Sequence, residues 1–455
     1  MKRHCFSRRT WMETMLLAGA WCSSPRSARA AGDEAIPPVR IVTRGPGHHW
    51  FGYYDKLQFD QDSRRLLSMQ VGFEHRSPRP VDVVRVGFVD LAEGDRWVEF
   101  GESSAWGWQQ GCMLQWRPGS RDEVVWNDRD GERFVCHVLD VATGNRRTLS
   151  RPIYTIAPDG RRAFGIDFGR LQRMRPGYGY AAAAPSNGDV RAPADGGIWA
   201  IDLDGGEPRL IISLADIVLF DPQDSFLDAF HWFNHLLVNT DSTRLEFLHR
   251  WGTPGGRWST RMITTDLDGS HPYVLDPGGH TSHFIWRDPS HILAWTRPEG
   301  RHDGYWLFRD RSREIEEVGS GVMTTNGHCT YLPIPNRLTA RSGTATPERS
   351  TTPIRPRWIL NDTYPDRDRL QHPYLYDTTS GRRVPLGHFE SPPAYSGEWR
   401  CDTHPRSSRD GKLVCVDSPV GDSAAGGLGR QLHLIDVSAI VASDGQTAAS
   451  SLEPR

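Results

Sequence analysis

Residues 47–56 read G-H-H-W-F-G-Y-Y-D-K. His48 and His49 bring two adjacent imidazoles, the groups that exchange protons near neutral pH and ligate transition metals. Comparable polar segments recur along the chain. They are Gln109-Gln110-Gly111-Cys112, His231-Trp232-Phe233-Asn234-His235, His280-Thr281-Ser282-His283, Asn326-Gly327-His328-Cys329 and Arg400-Cys401-Asp402-Thr403-His404. Two of them, His280-x-x-His283 and Cys401-x-x-His404, have a spacing seen in metal sites, and zinc accepts both imidazole nitrogen and thiolate sulfur. Residues i and i+3 of a strand point to opposite faces, so both members of such a pair ligate only where the strand turns or bulges.

These segments sit at the starts of repeated units. Each unit opens on aromatic or His-rich residues, passes a turn such as P-D-G, and continues as short apolar strands, one of which ends in Asp before a Gly-rich turn. Seven units are read, at roughly 48–100, 110–150, 153–215, 229–277, 281–318, 327–387 and 399–437. Helical periodicity is nearly absent. Units of this length with four short strands predict an all-β fold, a seven-bladed β-propeller spanning residues 31–437 as one domain. Val39-Arg40-Ile41-Val42-Thr43 precedes the first unit and is placed to pair into the last blade, closing the ring. Two smaller β domains are the competing arrangement, and the even spacing favours one ring. Residues 339–355 read as a loop insertion in blade six, and 438–455 as a mobile tail.

The first thirty residues carry Ser7-Arg8-Arg9-Thr10-Trp11, an apolar run from Met15 to Trp21, and Ala28-Arg29-Ala30. Basic, apolar and cleavage regions in that order predict a twin-arginine export signal and a periplasmic or secreted mature protein. No run is long enough to span a bilayer. The formal net charge of −2 gives no basic field for nucleic acid. Cys112, Cys136, Cys329, Cys401 and Cys415 remain after cleavage, and their irregular spacing is no disulfide framework. Cys112, Cys136 and Cys415 read as buried apolar positions, and Gln109, Gln110 and Asn127 as partners for blade hydrogen bonds.

The ordered set of G-H-H-W-F-G-Y-Y-D-K, Q-Q-G-C-M-L-Q-W, P-I-Y-T-I-A-P-D-G, R-P-G-Y-G-Y, N-D-T-Y-P and R-C-D-T-H-P-R resembles the seven-bladed propeller polysaccharide lyases. The resemblance covers nearly the whole mature chain, is strongest to ulvan lyases, and extends more distantly to oligogalacturonate lyases. It implies β-elimination of a uronate polysaccharide, possibly sulfated. A base removes the proton α to the carboxylate, an acid protonates the leaving oxygen, and a cation stabilises the charge on the carboxylate. Carried over by motif, the catalytic residues are His49 or His48, then His75, Tyr154 and Arg170. Tyr154 serves as base, acid or both, and Arg170 forks the uronate carboxylate. Tyr178, Tyr180, His231 and Asn234 are the expected sugar contacts. The resemblance also implies a structural zinc tying blades together, with His283, Cys401 and His404 plus His328 or His280 as ligands. No organic cofactor is expected, and the partner is an acidic polysaccharide bound by a monomer.

Two other classes compete. A non-catalytic glycan- or protein-binding propeller would lack part of the His–Tyr–Arg set. A metal-dependent hydrolase would need a carboxylate base at an open metal site, for which Asp55, Asp362 and Asp402 are the available carboxylates.

Overall fold

The computed structural model describes residues 36–181, 188–333, 355–420 and 428–442. The expected export signal, residues 339–354 of the expected insertion and the tail beyond 442 lie outside the described residues.

Short β-rich runs separated by turns build seven four-stranded sheets. All their strand pairings are antiparallel, as connections of a few residues require. The first strands His48–Trp50, Gln115–Trp116, Thr155–Ile156, Phe230–Val238, Phe284–Asp288, Thr330–Tyr331 and Arg406–Ser407 open blades one to seven; all are short except that of blade four, which has nine residues. Both sheet faces are apolar because neighbouring blades pack face to face. Thus Val125, Cys136, Val138 and Leu149 of blade two share one core with Ile156, Ala163 and Ile201 of blade three. Trp50, Trp106, Trp108, Trp116 and Trp126 fill the wedge around blades one and two.

The seven-bladed propeller expected from the repeats is the observed fold. Its last blade is composite: Val39–Ile41 lies antiparallel on Leu428–Asp436, in the register Val39↔Ile435 and Ile41↔His433. The N-terminal strand therefore supplies the outermost edge that the C-terminal segment leaves open.

Two local departures matter. Blade six carries an extra ribbon, Leu370–Gln371 on Phe389–Glu390. Blade three carries a short helix, Phe168–Met174, capped by the Asp167 side chain on the Arg170 amide. Residues 438–442 of the expected tail form a helical turn, with Ile440 and Val441 against the core of blades six and seven.

Candidate functional site

The opening strand ends at Trp50, and the chain then turns sharply. Gly52 has φ +105°, and an added Cβ would lie 3.0 Å from the Gln110 carbonyl carbon. The buried Asp417 carboxylate accepts the Phe51 and Gly52 amides and holds Arg406 at 2.7 Å, which pins this turn. Beyond it, Tyr53 and Tyr54 cross from blade one to the opposite blades. The Tyr53 hydroxyl lies 2.7 Å from His235 Nδ1 in blade four. The Tyr54 hydroxyl donates to the Phe284 carbonyl at 2.9 Å and accepts its amide at 3.1 Å in blade five. The tyrosines of the opening stretch, rather than its histidines, reach the centre of the ring.

Four histidines meet them there. His283, His328 and His404 each precede or open the first strand of blades five, six and seven, and His235 lies within that of blade four. His235 sits where the strand register shifts, with a positive φ of 54°. Ring centroids are 4.1 Å apart for His328–His404, 4.3 Å for His283–His328 and 6.3 Å for His235–His283. All four are buried, and burial pushes His235, His283 and His404 well below the ordinary imidazole range, so they are neutral. His328 is raised despite its burial, because Asp362 lies 3.0 Å from its Nδ1.

The donor set of His328, Asp402 and His404 fits a metal ion. Their ligand atoms lie within 4.8 Å of one another. His328 Nε2 and His404 Nε2 are buried with no hydrogen-bond partner. Asp362 also accepts the His328 amide and the Thr403 hydroxyl, so it fixes the His328 ring with Nε2 facing the cluster, the usual way a carboxylate braces a metal-ligating histidine. Nitrogen and carboxylate oxygen suit a first-row divalent ion.

A second group adjoins this centre. The Tyr178 hydroxyl accepts from Arg400 at 2.7 Å and Arg175 at 3.0 Å, and its ring meets His235 edge-on at 6.0 Å. Burial opposes ionisation, but the two guanidiniums prevail and bring the phenol down to about 7. Arg400 in turn pairs with Asp402 at 2.7 Å. The loop R-P-G-Y-G-Y makes this placement possible. Gly177 has φ +93°, and a Cβ on Gly179 would lie 2.1 Å from the Phe168 carbonyl oxygen, so the loop folds tightly onto the blade-three helix.

Tyr154 is in the same room. Its hydroxyl accepts from Gln110 at 2.6 Å, donates to Asn234 at 3.0 Å and accepts the His235 amide at 3.1 Å. Burial pushes its phenol upward, with Asp55 adding to the shift, so this tyrosine is neutral at ordinary pH. Asp55 is itself paired with buried Lys56 at 2.7 Å.

The other expected residues stand elsewhere. His49 is enclosed on blade one, 2.8 Å from Gln70 and edge-on to Trp97 at 4.9 Å; burial first and His48 second hold it at about 4. His48 faces Glu74 at 3.2 Å, and exposed His75 packs edge-on to Tyr395 at 4.7 Å, both at the junction of blades one and seven. Arg170 is buried in the blade-three helix, where its Nε and Nη2 donate to the His231 and Arg191 carbonyls at 2.6 Å each, so its fork is engaged by backbone. His231 stacks on His249, with Nδ1 to Nε2 at 2.9 Å, inside blade four. Tyr180 is stacked on Phe168 at 4.2 Å and bonded to Asn127, which is blade packing.

Of the expected metal ligands, His328 and His404 are in the cluster and His283 touches it. Cys401 is replaced by its neighbour Asp402. The thiol is buried and pushed upward by burial, while Asp402 and His404, two residues apart, share a side of the chain. Exposed His280 lies beside Pro277 and Arg297 at a shallow surface depression. The residues that sequence reasoning passed over are Tyr53, His235, Arg175, Arg250 and Arg400. Four of them lay in a segment already singled out, and what was missing was which side chain faces the axis; Arg250 lies in the second strand of blade four, Arg244–Gly252, outside those segments.

No protein-family model matches the sequence, and no curated protein matches it. Among solved structures, an oligogalacturonate lyase from Vibrio parahaemolyticus is 15% identical over 89% of this chain and 95% of its own, with a TM-score of 0.58. An oligogalacturonate lyase in complex with manganese is 14% identical over 88% and 93%, with a TM-score of 0.59. The chain shares the propeller fold of both. Among the described residues, no helix is long and apolar enough to cross a membrane.

Proposed function

We propose that the protein is a polysaccharide lyase that cleaves a uronate-containing glycan by β-elimination. The observation that carries this is Tyr178, clamped between Arg175 and Arg400 beside His235 and next to the His328–Asp402–His404 centre. β-Elimination needs a positioned general base, an acid and a cation within one sugar's reach, and no hydride or phosphoryl carrier.

In this reading the Tyr178 phenolate takes the proton α to the carboxylate. The electron pair of that C–H bond becomes the C4–C5 double bond, and the C4–O4 bond breaks. The Tyr53–His235 pair gives O4 its proton, and Tyr154 with Asn234 orients His235. Arg400 holds the carboxylate's developing charge close to Tyr178. A divalent ion held by His328, Asp402 and His404 would supply Lewis-acid stabilisation of that carboxylate; we assign it as zinc on the donor set. Ulvan is the substrate the sequence motifs favour, and oligogalacturonate is the alternative supported by the structural likeness. Export through the twin-arginine route and action as a monomer belong to the same proposal.

The test is ultraviolet absorbance of the unsaturated uronate product. Metal-replete protein is incubated with ulvan, polygalacturonate, alginate and glycosaminoglycans. A rise with one of them, abolished by Tyr178→Phe, supports the reading. No rise across the panel from folded protein overturns it.

A further inference from the structure

Blade six carries side-chain chemistry that the central cluster does not use. Its extra ribbon has the register Leu370↔Glu390 and Gln371↔Phe389. One step further along this antiparallel register, His372 stands opposite His388. Side chains alternate along each strand, so Gln371 and His372 leave the ribbon on opposite sides. Gln371 grips the start of blade seven: its Nε2 donates to the Cys401 carbonyl at 2.9 Å, and its Oε1 accepts the Thr403 amide at 3.3 Å. The two histidines meet on the other side, with Nδ1 to Nδ1 at 2.7 Å and ring centroids 4.9 Å apart at 75°.

The His372 ring is held by Asp366, whose Oδ2 lies 3.0 Å from Nε2. Asp366 is itself fixed, because its Oδ1 accepts the Asp368 and Leu370 amides at 2.9 Å each. A carboxylate on Nε2–H leaves the Nδ1 lone pair for a partner, which is how metal-ligating imidazoles are oriented. His388 meets that lone pair with its own Nδ1 proton. His388 is exposed, so water can carry this proton to Nε2 and free a second lone pair. Two nitrogens bound to one tetrahedral ion at about 2.0–2.1 Å stand about 3.3 Å apart, so the pair has to open by only about 0.6 Å. Rotation of the exposed His388 side chain supplies that. Arg383 faces His388 and opposes a cation, but its guanidinium lies over the Tyr374 ring at 4.0 Å, and Asp366 supplies compensating negative charge.

The ribbon gains from such a link. Two paired residues per strand are well short of what holds a two-stranded ribbon by itself. One end is tied by Arg369, whose Nε and Nη2 donate to the Ser391 carbonyl and hydroxyl at 2.7 and 3.0 Å. The histidines stand at the other end.

We propose that His372 and His388 form a transition-metal site separate from the central cluster, with Asp366 as the bracing carboxylate and water completing the coordination, and that the ion clips the two strands of the ribbon together. Two imidazole nitrogens select an ion of the zinc, nickel or copper class over magnesium or calcium. The site does not depend on the lyase reading.

The experiment titrates nickel chloride into the chelator-stripped full chain carrying Asp402→Asn, which weakens the central cluster, and into the same chain with His388→Ala added. Calorimetry is expected to show nickel binding at least about tenfold weaker once His388 is lost. Magnesium chloride should show no dependence on His388. Asp366→Asn keeps an acceptor for the Asp368 and Leu370 amides but loses the carboxylate, and should weaken nickel about tenfold. The clip is read from tryptic cleavage after Arg367, whose side chain is 93% exposed. Nickel should slow that cut several-fold, and His388→Ala should remove the protection. His388 is exposed, so its substitution leaves the fold intact. Equal nickel affinity with and without His388 overturns the site. Nickel that binds through His388 without slowing the cut overturns the clip.

Discussion

Replacing Arg175 by Gln tests the base assignment through its pH signature. The Tyr178 phenol stands at about 7 instead of 10.0, against the opposing effect of burial. Three pH units correspond to about 4 kcal/mol of preferential stabilisation of the phenolate. Two guanidiniums provide it: the Arg175 charge is the largest single lowering cause, and Arg400 acts through both its charge and a hydrogen bond. Removing Arg175 should therefore raise the phenol by about 1.5 units or more, because the remaining cation no longer offsets burial fully. At pH 7 the phenolate fraction then falls from about half to roughly 3%, and kcat falls roughly 15-fold. At pH 9 most of the phenolate returns, and kcat should come within about twofold of wild type. The assay is product absorbance at saturating substrate from pH 5.5 to 10. A loss of the same size at every pH would refute the reasoning, since it would make Arg175 a structural or binding group rather than the setter of the phenol.

The same shift predicts a stability difference. The folded phenol ionises lower than the unfolded one, so its stabilising effect is fully present above pH 10, declines below that, and is lost as pH falls through about 7. Thermal melts at pH 7 and 9 should show wild type gaining on Tyr178→Phe by about 2 kcal/mol. Tyr53, Tyr54 and Tyr154 do not contribute in that window, because burial raises all three and they stay neutral in both states below pH 10. Asp402→Asn should lower metal content after dialysis by at least about tenfold, whereas Cys401→Ala should retain the ion; elemental analysis distinguishes them. His235→Ala should cost about 100-fold or more in kcat, while His49→Ala should stay within a few-fold, as steady-state rates would show.

The fold was legible because its signals are local and repeated. Each blade restates the same alternation of apolar strand and polar turn, and Val39–Ile41 has the pattern of a strand with no partner in its own unit. The helix Phe168–Met174 was not legible, being two turns long and stabilised by its Asp167 cap and the Gly177–Tyr180 loop rather than by amphipathic periodicity. At the site, the polar blade starts were visible, but which residue of each start faces the axis depends on parity. Side chains alternate with period two, so an error of one residue moves a group to the other face. Cys401 and Asp402 differ by that single step, and it is the carboxylate that stands with His328 and His404. In blade four the strand bulges between Asn234 and Leu237, which turns His235 toward Tyr53 and leaves His231 against His249. Blade one shows the strongest case. The paired imidazoles of His48 and His49 belong to the strand proper and are absorbed by blade contacts, while the turn at Gly52 carries Tyr53 and Tyr54 inward. The candidate site of this propeller is assembled where strands break their regular geometry, at the turn after blade one, the bulge of blade four and the positive-φ His404, and composition alone does not mark those breaks.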